Sequence, residues 1–330
     1  MTGRIAINGF GRIGRCVLRA WLRAARGVEL VAVNSRADIS VAAHLLKYDS
    51  THGAFDGAVS ISGEDISAGG KSIRYTREAD IGKLNWRDVD IVLECTGAHN
   101  DREQAARHLQ AGAKKVLVAA PSKNADATIV YGINHADAAG KQIVSAASCT
   151  TNCLAPLALA LHNAFGIECG LMSTIHSYTS DQRLLDDSHT DLRRARAAGQ
   201  NIIPTKTGAA ELLGKIIPAL DGKVSGFALR VPTPNVSLVD FTAMLGRDAD
   251  RQTINTALTD AAAAMPGGVM TVCDLPLVSG DFNHNPSSCI ADLSQTRIIG
   301  KRMAKTLAWY DNEWGFSQRM LDIAALMAAD

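Results

Sequence analysis

Short β-branched runs and longer amphipathic stretches take turns through the first half of the chain. Strand-like runs fall at residues 4–8, 28–34, 90–94, 115–118, 128–131 and 142–145, and helical periodicity at 12–25, 39–46 and 101–111. Strands separated by helices pair side by side through crossovers, so this half predicts a parallel sheet with helices on its faces. From residue 170 the strand candidates lengthen, at 170–177, 226–231, 237–245, 288–292 and 303–310, with a helix over 250–264. That pattern predicts an α+β unit around a mainly antiparallel sheet. The expected domains are residues 1–148 and 149–314, with residues 315–330 forming a helix whose apolar face packs back on the first. Residues 180–207 are polar, arginine-rich and without clean periodicity, too long for an ordinary connection and therefore expected to be functional or interfacial.

A chain of 330 residues, 47% hydrophobic, is large enough for two cores. Lys+Arg number 34 against Asp+Glu 33, which argues against broad affinity for nucleic acid or membranes. An anionic partner must then be met by a few placed basic residues. The N-terminus opens directly on a strand-like run and no apolar run reaches spanning length, so a cytoplasmic protein is expected. Seven cysteines scattered from Cys16 to Cys289 read as reduced thiols, and no metal site is expected.

Gly9, Phe10, Gly11, Arg12, Ile13 and Gly14 form G-x-G-x-x-G between a strand and a helix, where glycines allow a tight turn and close pyrophosphate approach at a helix N-terminus. With a second strand at 28–34, this predicts a dinucleotide-binding domain of the Rossmann kind. At the end of that strand, where an acidic residue ordinarily takes the ribose hydroxyls, stand Asn34, Ser35 and Arg36. A carboxylate there repels a 2′-phosphate, whereas Ser and Arg donate to one, so NADP is the expected cofactor with NAD as the second choice. The alternative is that Arg36 points to solvent and Asp38 or the backbone serves the ribose.

Cys149 lies in a small-polar turn, 145–153, ahead of a helix-prone stretch at 154–164, where backbone N–H groups could favour a thiolate. His176 ends a β-branched run at the mouth of the 180–207 segment, from which its ring could reach that sulfur. Thr179, Asp181, Arg193, Arg194, Arg196, Thr205, Thr207, Gly208 and Arg230 cluster nearby in sequence, a mix of guanidinium forks and hydroxyls suited to phosphate.

Six motifs in order, at 8–15, 148–153, 176–182, 191–196, 230–235 and 309–315, resemble phosphorylating glyceraldehyde-3-phosphate dehydrogenases over essentially the whole chain. The resemblance implies that Cys149 is the nucleophile, His176 the base and Asn312 the carboxamide partner of the nicotinamide. It implies one phosphate site from Thr179, Asp181 and Arg230 and another from Ser148, Thr150, Thr207, Gly208 and Arg194, with Arg77, Thr96, Gly97 and Ser188 among the cofactor residues. The substrates implied are glyceraldehyde 3-phosphate and inorganic phosphate, and the assembly a homotetramer with the 180–207 segment at an interface.

Three departures from the NAD-type pattern of that family stand out. Ser35 replaces its acidic residue, Asp187 and Ser188 stand where Leu-Pro is usual, and His99 stands where an aromatic ring commonly borders the adenine. The first two favour a 2′-phosphate, although the charge of Asp187 opposes one unless it pairs with Arg36 or turns away. An erythrose-4-phosphate dehydrogenase, which passes its thioester to water, is the near alternative, and a non-catalytic nucleotide-binding protein the distant one.

Overall fold

The computed structural model describes residues 2–330. Its chain divides into two units: one holds the residues up to Tyr131 with His135–Ser148 and Ser317–Asp330, the other Gly132–Asn134 with Cys149–Phe316.

The elements of the first unit run β1 (Gly3–Asn8), α1 (Arg12–Arg23), β2 (Val28–Asn34), α2 (Ile39–Lys47), β3 (Val59–Ser62), β4 (Asp65–Ala68), β5 (Lys71–Thr76), β6 (Ile91–Glu94), α3 (Arg102–Gln110), β7 (Lys115–Val118), β8 (Ala127–Thr128) and β9 (Ile143–Ser145). They form one sheet in the order β3-β4-β5-β2-β1-β6-β7-β9-β8. Strand β1 pairs in parallel with both β2 and β6, so the connections turn opposite ways on either side of it. A crevice opens at such a switch point, beyond the carboxyl ends of the strands. Ile5, Ile7, Val33, Leu93 and Val116 are fully buried, as near-continuous apolar strands covered on both faces require. Asp38 and Asp101 cap α2 and α3 by accepting from the N–H groups of Ser40 and Gln104.

In the second unit follow α4 (Cys149–Phe165), β10 (Ile167–Ser177), β11 (Ile203–Thr205), α5 (Ala209–Ile216), β12 (Val224–Val231), β13 (Ser237–Leu245), α6 (Arg251–Ala264), β14 (Met270–Cys273), β15 (Cys289–Ile299) and β16 (Met303–Tyr310); α7 (Trp314–Ala329) ends the chain. The sheet order is β11-β12-β10-β13-β16-β15-β14. Its long pairings β10 with β13, β13 with β16 and β15 with β16 are antiparallel, while β10 with β12 is parallel. Helix α4 is buried nearly all round, packed between this sheet and helices α5 and α6. From Ser317 onward α7 belongs to the first unit, where Ala328 lies so close to Gly3 that a Cβ there would meet it at 2.3 Å.

Four differences from the sequence reading have physical causes. Helix α4 starts at Cys149 rather than near residue 154, because burial of Thr150, Thr151 and Asn152 holds a first turn of poor intrinsic propensity. The strand expected at 128–131 shrinks to the two-residue β8. The antiparallel β3–β4–β5 extension went unforeseen, since its exposed, serine-rich β3 carries little apolar signal. The 180–207 segment ends in the short edge strand β11, whose proline suits an edge. Among the described residues no helix is long and apolar enough to cross a membrane.

Candidate active site

In the first unit the glycine turn is built by close approach. Gly9 takes φ +99°, and a Cβ on it would lie 2.5 Å from the Thr96 nitrogen, while one on Gly14 would lie 2.2 Å from the Gly9 carbonyl oxygen. Gly11 has nothing within 4 Å of its missing Cβ and caps α1 with no side-chain hydrogen bond. The first N–H groups of α1 thus open beside empty space that any larger residue would narrow, a cradle that fits a pyrophosphate. Phe10 turns its ring into the core, Arg15 fixes its carbonyl oxygen at 2.8 Å, and Arg12 is ion-paired with Asp49. A cleft of about 550 Å³ continues past Gly9 and Gly11 to Asn34, Ser35 and Arg36 on one side and Thr96 and His99 on the other.

Beneath this cleft lies a buried network that the sequence reading missed. The Glu94 carboxylate accepts from Asn8 Nδ2 at 2.6 Å, His108 Nε2 at 2.9 Å and the Thr96 N–H at 2.7 Å, as well as from the Thr96 hydroxyl. Trp86 Nε1, which can only donate, reaches His108 Nδ1 at 3.0 Å, so the His108 proton sits on Nε2 and points at Glu94. Asn34 extends the chain by donating to Asn8 Oδ1 at 2.7 Å. The ends of β1, β2 and β6 are tied together here. A glutamate closing an apolar strand was the only signal for it.

Burial pushes the Glu94 carboxyl up, but His108, Thr96 and Asn8 outweigh it and hold the group below the usual carboxylate range. Its contribution to stability is therefore fully present above the unfolded value and fades as pH falls through the lower folded one. Glu94→Gln should cost about 1–3 kcal/mol at neutral pH by setting an amide donor against donors. Urea denaturation should show the gap to wild type closing as pH drops below about 4. A gap constant with pH would mean that Glu94 is not held ionised.

Arg77 pairs with Asp38 at 3.2 Å, both exposed, and Asp38 also accepts from the Ser40 N–H and hydroxyl. Its carboxylate is thus engaged at the cap of α2. Ser35 Oγ accepts from the Ala37 N–H at 3.3 Å, Arg36 is exposed, and Gly97 turns the chain after Thr96 with φ +73°.

In the second unit Cys149 stands at the first turn of α4, just after Ala147, whose left-handed φ of 59° bends the chain from β9 into the helix. Cys149 Sγ lies 3.4 Å from His176 Nε2. His176 and Arg230 are register partners on the parallel strands β10 and β12, which sets Arg230 Nη1 2.8 Å from His176 Nδ1 and 3.0 Å from the Ser177 carbonyl oxygen. His176 Nδ1 thus lies between a donor, Arg230 Nη1, and an acceptor, the Ser177 carbonyl oxygen 2.7 Å away; the tautomer whose Nδ1 proton goes to that carbonyl is the one that leaves Nε2 bare toward sulfur.

Burial pushes the Cys149 thiol above its ordinary value, against the pull of Arg230 and of the Thr150 N–H and hydroxyl. Burial, with Arg230 adding to it, drives His176 down to about 3. Burial thus favours the uncharged form of each partner, while Arg230 and the Thr150 donors draw the sulfur toward a thiolate.

Around this pair, the Thr150 hydroxyl is buried and shares a 2.9 Å hydrogen bond with Tyr310, whose own hydroxyl meets Thr174 Oγ1 at 2.8 Å. Arg194 pairs with Asp181 and donates Nε to Thr205 Oγ1 at 2.8 Å, and both charges act on Arg230. Thr179 is half-buried, with its N–H on Gln182 Oε1 at 3.3 Å. Thr207 and Gly208 lie at the N-terminal end of α5, and half-buried Ser148 directly precedes Cys149. Asn312 Oδ1 accepts from Ser177 Oγ and Ser237 Oγ, each at 2.9 Å, which leaves its amide nitrogen as the presenting group. Asp311, missed by sequence reasoning, accepts from the Glu313 and Trp314 N–H groups and fixes the loop that carries Asn312. Ser188 is exposed on the 180–207 segment, its N–H held by Asp187 Oδ1 at 2.6 Å, so that carboxylate turns back on its own chain.

A doubly wound unit with a glycine-turn cleft, joined in one chain to a mainly antiparallel unit bearing a cysteine–histidine pair, is the arrangement of a nucleotide-binding domain followed by a second domain with its own polar site. Residues 3–102 match the glyceraldehyde 3-phosphate dehydrogenase NAD binding domain, and residues 148–312 the C-terminal domain of the same enzymes. The chain is 52% identical to a glyceraldehyde-3-phosphate dehydrogenase of Pseudomonas aeruginosa, an alignment covering 100% of this chain and 99% of that one. It is 50% identical to one of Geobacillus stearothermophilus over 100% and 99%, and 49% identical to glyceraldehyde-3-phosphate dehydrogenase 1 of Bacillus subtilis over 99% of each. The chain belongs to the glyceraldehyde 3-phosphate dehydrogenase family, oxidoreductases built on a nicotinamide-dinucleotide-binding domain.

Proposed function

We propose that the protein catalyses the reversible phosphorylating oxidation of D-glyceraldehyde 3-phosphate to 1,3-bisphosphoglycerate, preferring NADP over NAD. The observation that carries this reading is the Cys149–His176 contact at 3.4 Å with Arg230 seated behind the imidazole. Cys149 Sγ adds to the aldehyde carbon as its proton passes to His176, and the carbonyl oxygen takes up a proton to give a thiohemiacetal. When bound, the nicotinamide dinucleotide supplies the hydride acceptor, and the glycine turn and Asn34–Arg36 strand end are the residues that would hold it. His176 Nε2 takes the hydroxyl proton as the carbon is oxidised, leaving a thioester on Cys149. A phosphate oxygen then attacks the thioester carbonyl, the C–S bond breaks, and the acyl phosphate leaves as the proton held on His176 returns to the departing sulfur and restores the Cys149 thiol. Arg230 and Arg194 supply guanidinium forks for the two phosphates, with Thr179, Thr207 and the Gly208 helix end as neutral donors.

The reading of NADP rests on the end of β2, which presents Ser35 and Arg36 and no carboxylate, and on Asp38 being engaged by Arg77 and the cap of α2. Leu184, Leu185, Leu192 and Ile202, each more than 65% exposed on the 180–207 segment, support a homotetramer whose subunits meet there.

NADPH should form from the aldehyde only when inorganic phosphate is present. Phosphate-independent oxidation to the acid would instead favour hydrolysis of the thioester, the erythrose-4-phosphate dehydrogenase pattern. Ser35→Asp should move the ratio of kcat/KM for NADP over NAD toward NAD by about tenfold to a hundredfold, because the new charge faces the 2′-phosphate and accepts from ribose hydroxyls. A wild-type enzyme that favours NAD, with that ratio unmoved in the variant, would remove the strand end from cofactor choice.

A further inference from the structure

We propose that His108 is a positioning residue for the dinucleotide: from outside the cleft it directs a chain of buried hydrogen bonds that sets the distance between the cleft's two walls. This rests on the dinucleotide reading of that cleft. His108 is fully buried on α3 and does not line the 550 Å³ space. All the groups concerned belong to the first unit.

Trp86 sets the direction of the chain. Its indole N–H can only donate, and it meets His108 Nδ1 at 3.0 Å, so the His108 proton sits on Nε2, 2.9 Å from Glu94 Oε2. The Glu94 carboxylate takes the Asn8 amide nitrogen as a donor at 2.6 Å, which turns Asn8 Oδ1 the other way, toward Asn34 Nδ2 at 2.7 Å. Asn34 Oδ1 is then left to accept from the Glu78 N–H and the Thr76 hydroxyl, each at 2.9 Å. Two amides that fit either way round in isolation are thereby held in one orientation.

Both walls hang on this chain. On one side Glu94 Oε1 accepts the Thr96 N–H, and that nitrogen lies 2.5 Å from where a Cβ on Gly9 would be, so the wall and the glycine turn are set together. On the other, Asn34 and Glu78 line the cleft beside Ser35 and Arg36, and the Gly9 N–H donates to the Asn34 carbonyl oxygen at 2.9 Å. A ligand that bridges two walls needs them held to within about 0.5 Å. Without the His108 donor the buried carboxylate is short of a partner, and Asn8 and Thr96 shift to serve it.

The test is calorimetric titration of the full chain with 5′-ADP, whose ribose and pyrophosphate span these walls. His108→Leu removes both bonds of the ring, whereas His108→Gln restores an acceptor for Trp86 and a donor for Glu94. His108→Leu should weaken 5′-ADP about tenfold and raise KM for the dinucleotide by a like factor with kcat unchanged, because Cys149 and His176 lie in the other unit. His108→Gln should recover most of the loss. Trp86→Phe, which removes only the donor that selects the tautomer, should weaken 5′-ADP about threefold and carries the test if His108→Leu does not fold. Leu117→Ala, at a buried position of β7 that makes none of these bonds, should lower Tm and leave 5′-ADP affinity unchanged. Wild-type affinity in the folded His108→Leu or Trp86→Phe variant would overturn the proposal. An equal loss in Leu117→Ala would overturn it too, because any loosening of the sheet would then suffice. A wild-type chain that does not bind 5′-ADP would bring down the dinucleotide reading, and the proposal with it.

Discussion

Cys149→Ser should abolish aldehyde oxidation by a factor of about 10⁴ or more while leaving dinucleotide binding at the wild-type level. Burial already pushes the thiol above its ordinary value. A hydroxyl starts far higher still, so the transfer to His176 that gives a thiolate is out of reach for an alkoxide. The cradle for the dinucleotide lies in the first unit and Cys149 in the second, so the two properties separate. The measurements are single-turnover NADPH formation and a binding titration on the same sample. Turnover within tenfold of wild type would exclude a covalent thioester.

His176→Asn should lower turnover by about 10²–10⁴, the range for loss of a general base. The direction of its pH dependence follows from the buried pair. His176, held down to about 3 by burial and Arg230, is unprotonated at neutral pH, and its Nε2 faces the sulfur whose proton it can take. Without it the thiol must lose its proton to solvent, and burial has raised the pH at which that happens. Alkylation of Cys149 by iodoacetamide in the variant should therefore be slow at neutral pH and climb about tenfold per pH unit on the alkaline side. Wild-type Cys149 should react faster at neutral pH and depend on pH less steeply. A variant whose alkylation rate and pH profile match wild type would show that the 3.4 Å contact moves no proton.

Much of the architecture was written in local patterns. Strands β13 and β16 fall where apolar alternation put them, since period-two burial is a property of the strand itself, and β2 and β7 fall where short apolar runs did, since both faces of their sheet are covered. The glycine turn was legible because its conformation admits few other residues: the φ of Gly9 and the approach of Gly14 to the Gly9 carbonyl leave no room for a side chain. Cys149 and His176 were legible as candidates through their small-polar and β-branched surroundings. Their contact was not, because it depends on α4 lying against a sheet whose strand β10 follows it only after a turn.

Where a residue acts through partners far away in the chain, local pattern is silent. Glu94 gathers Asn8 from 86 positions before it and His108 from 14 after it, and no periodicity encodes that meeting. The same holds for Arg230 beside His176, brought together by parallel register across 54 residues. The protonation of Cys149 and His176 is decided at this level too. Sequence determined which groups could ionise; only tertiary burial set the balance between them, because desolvation depends on everything packed around a group and not on its neighbours in the chain.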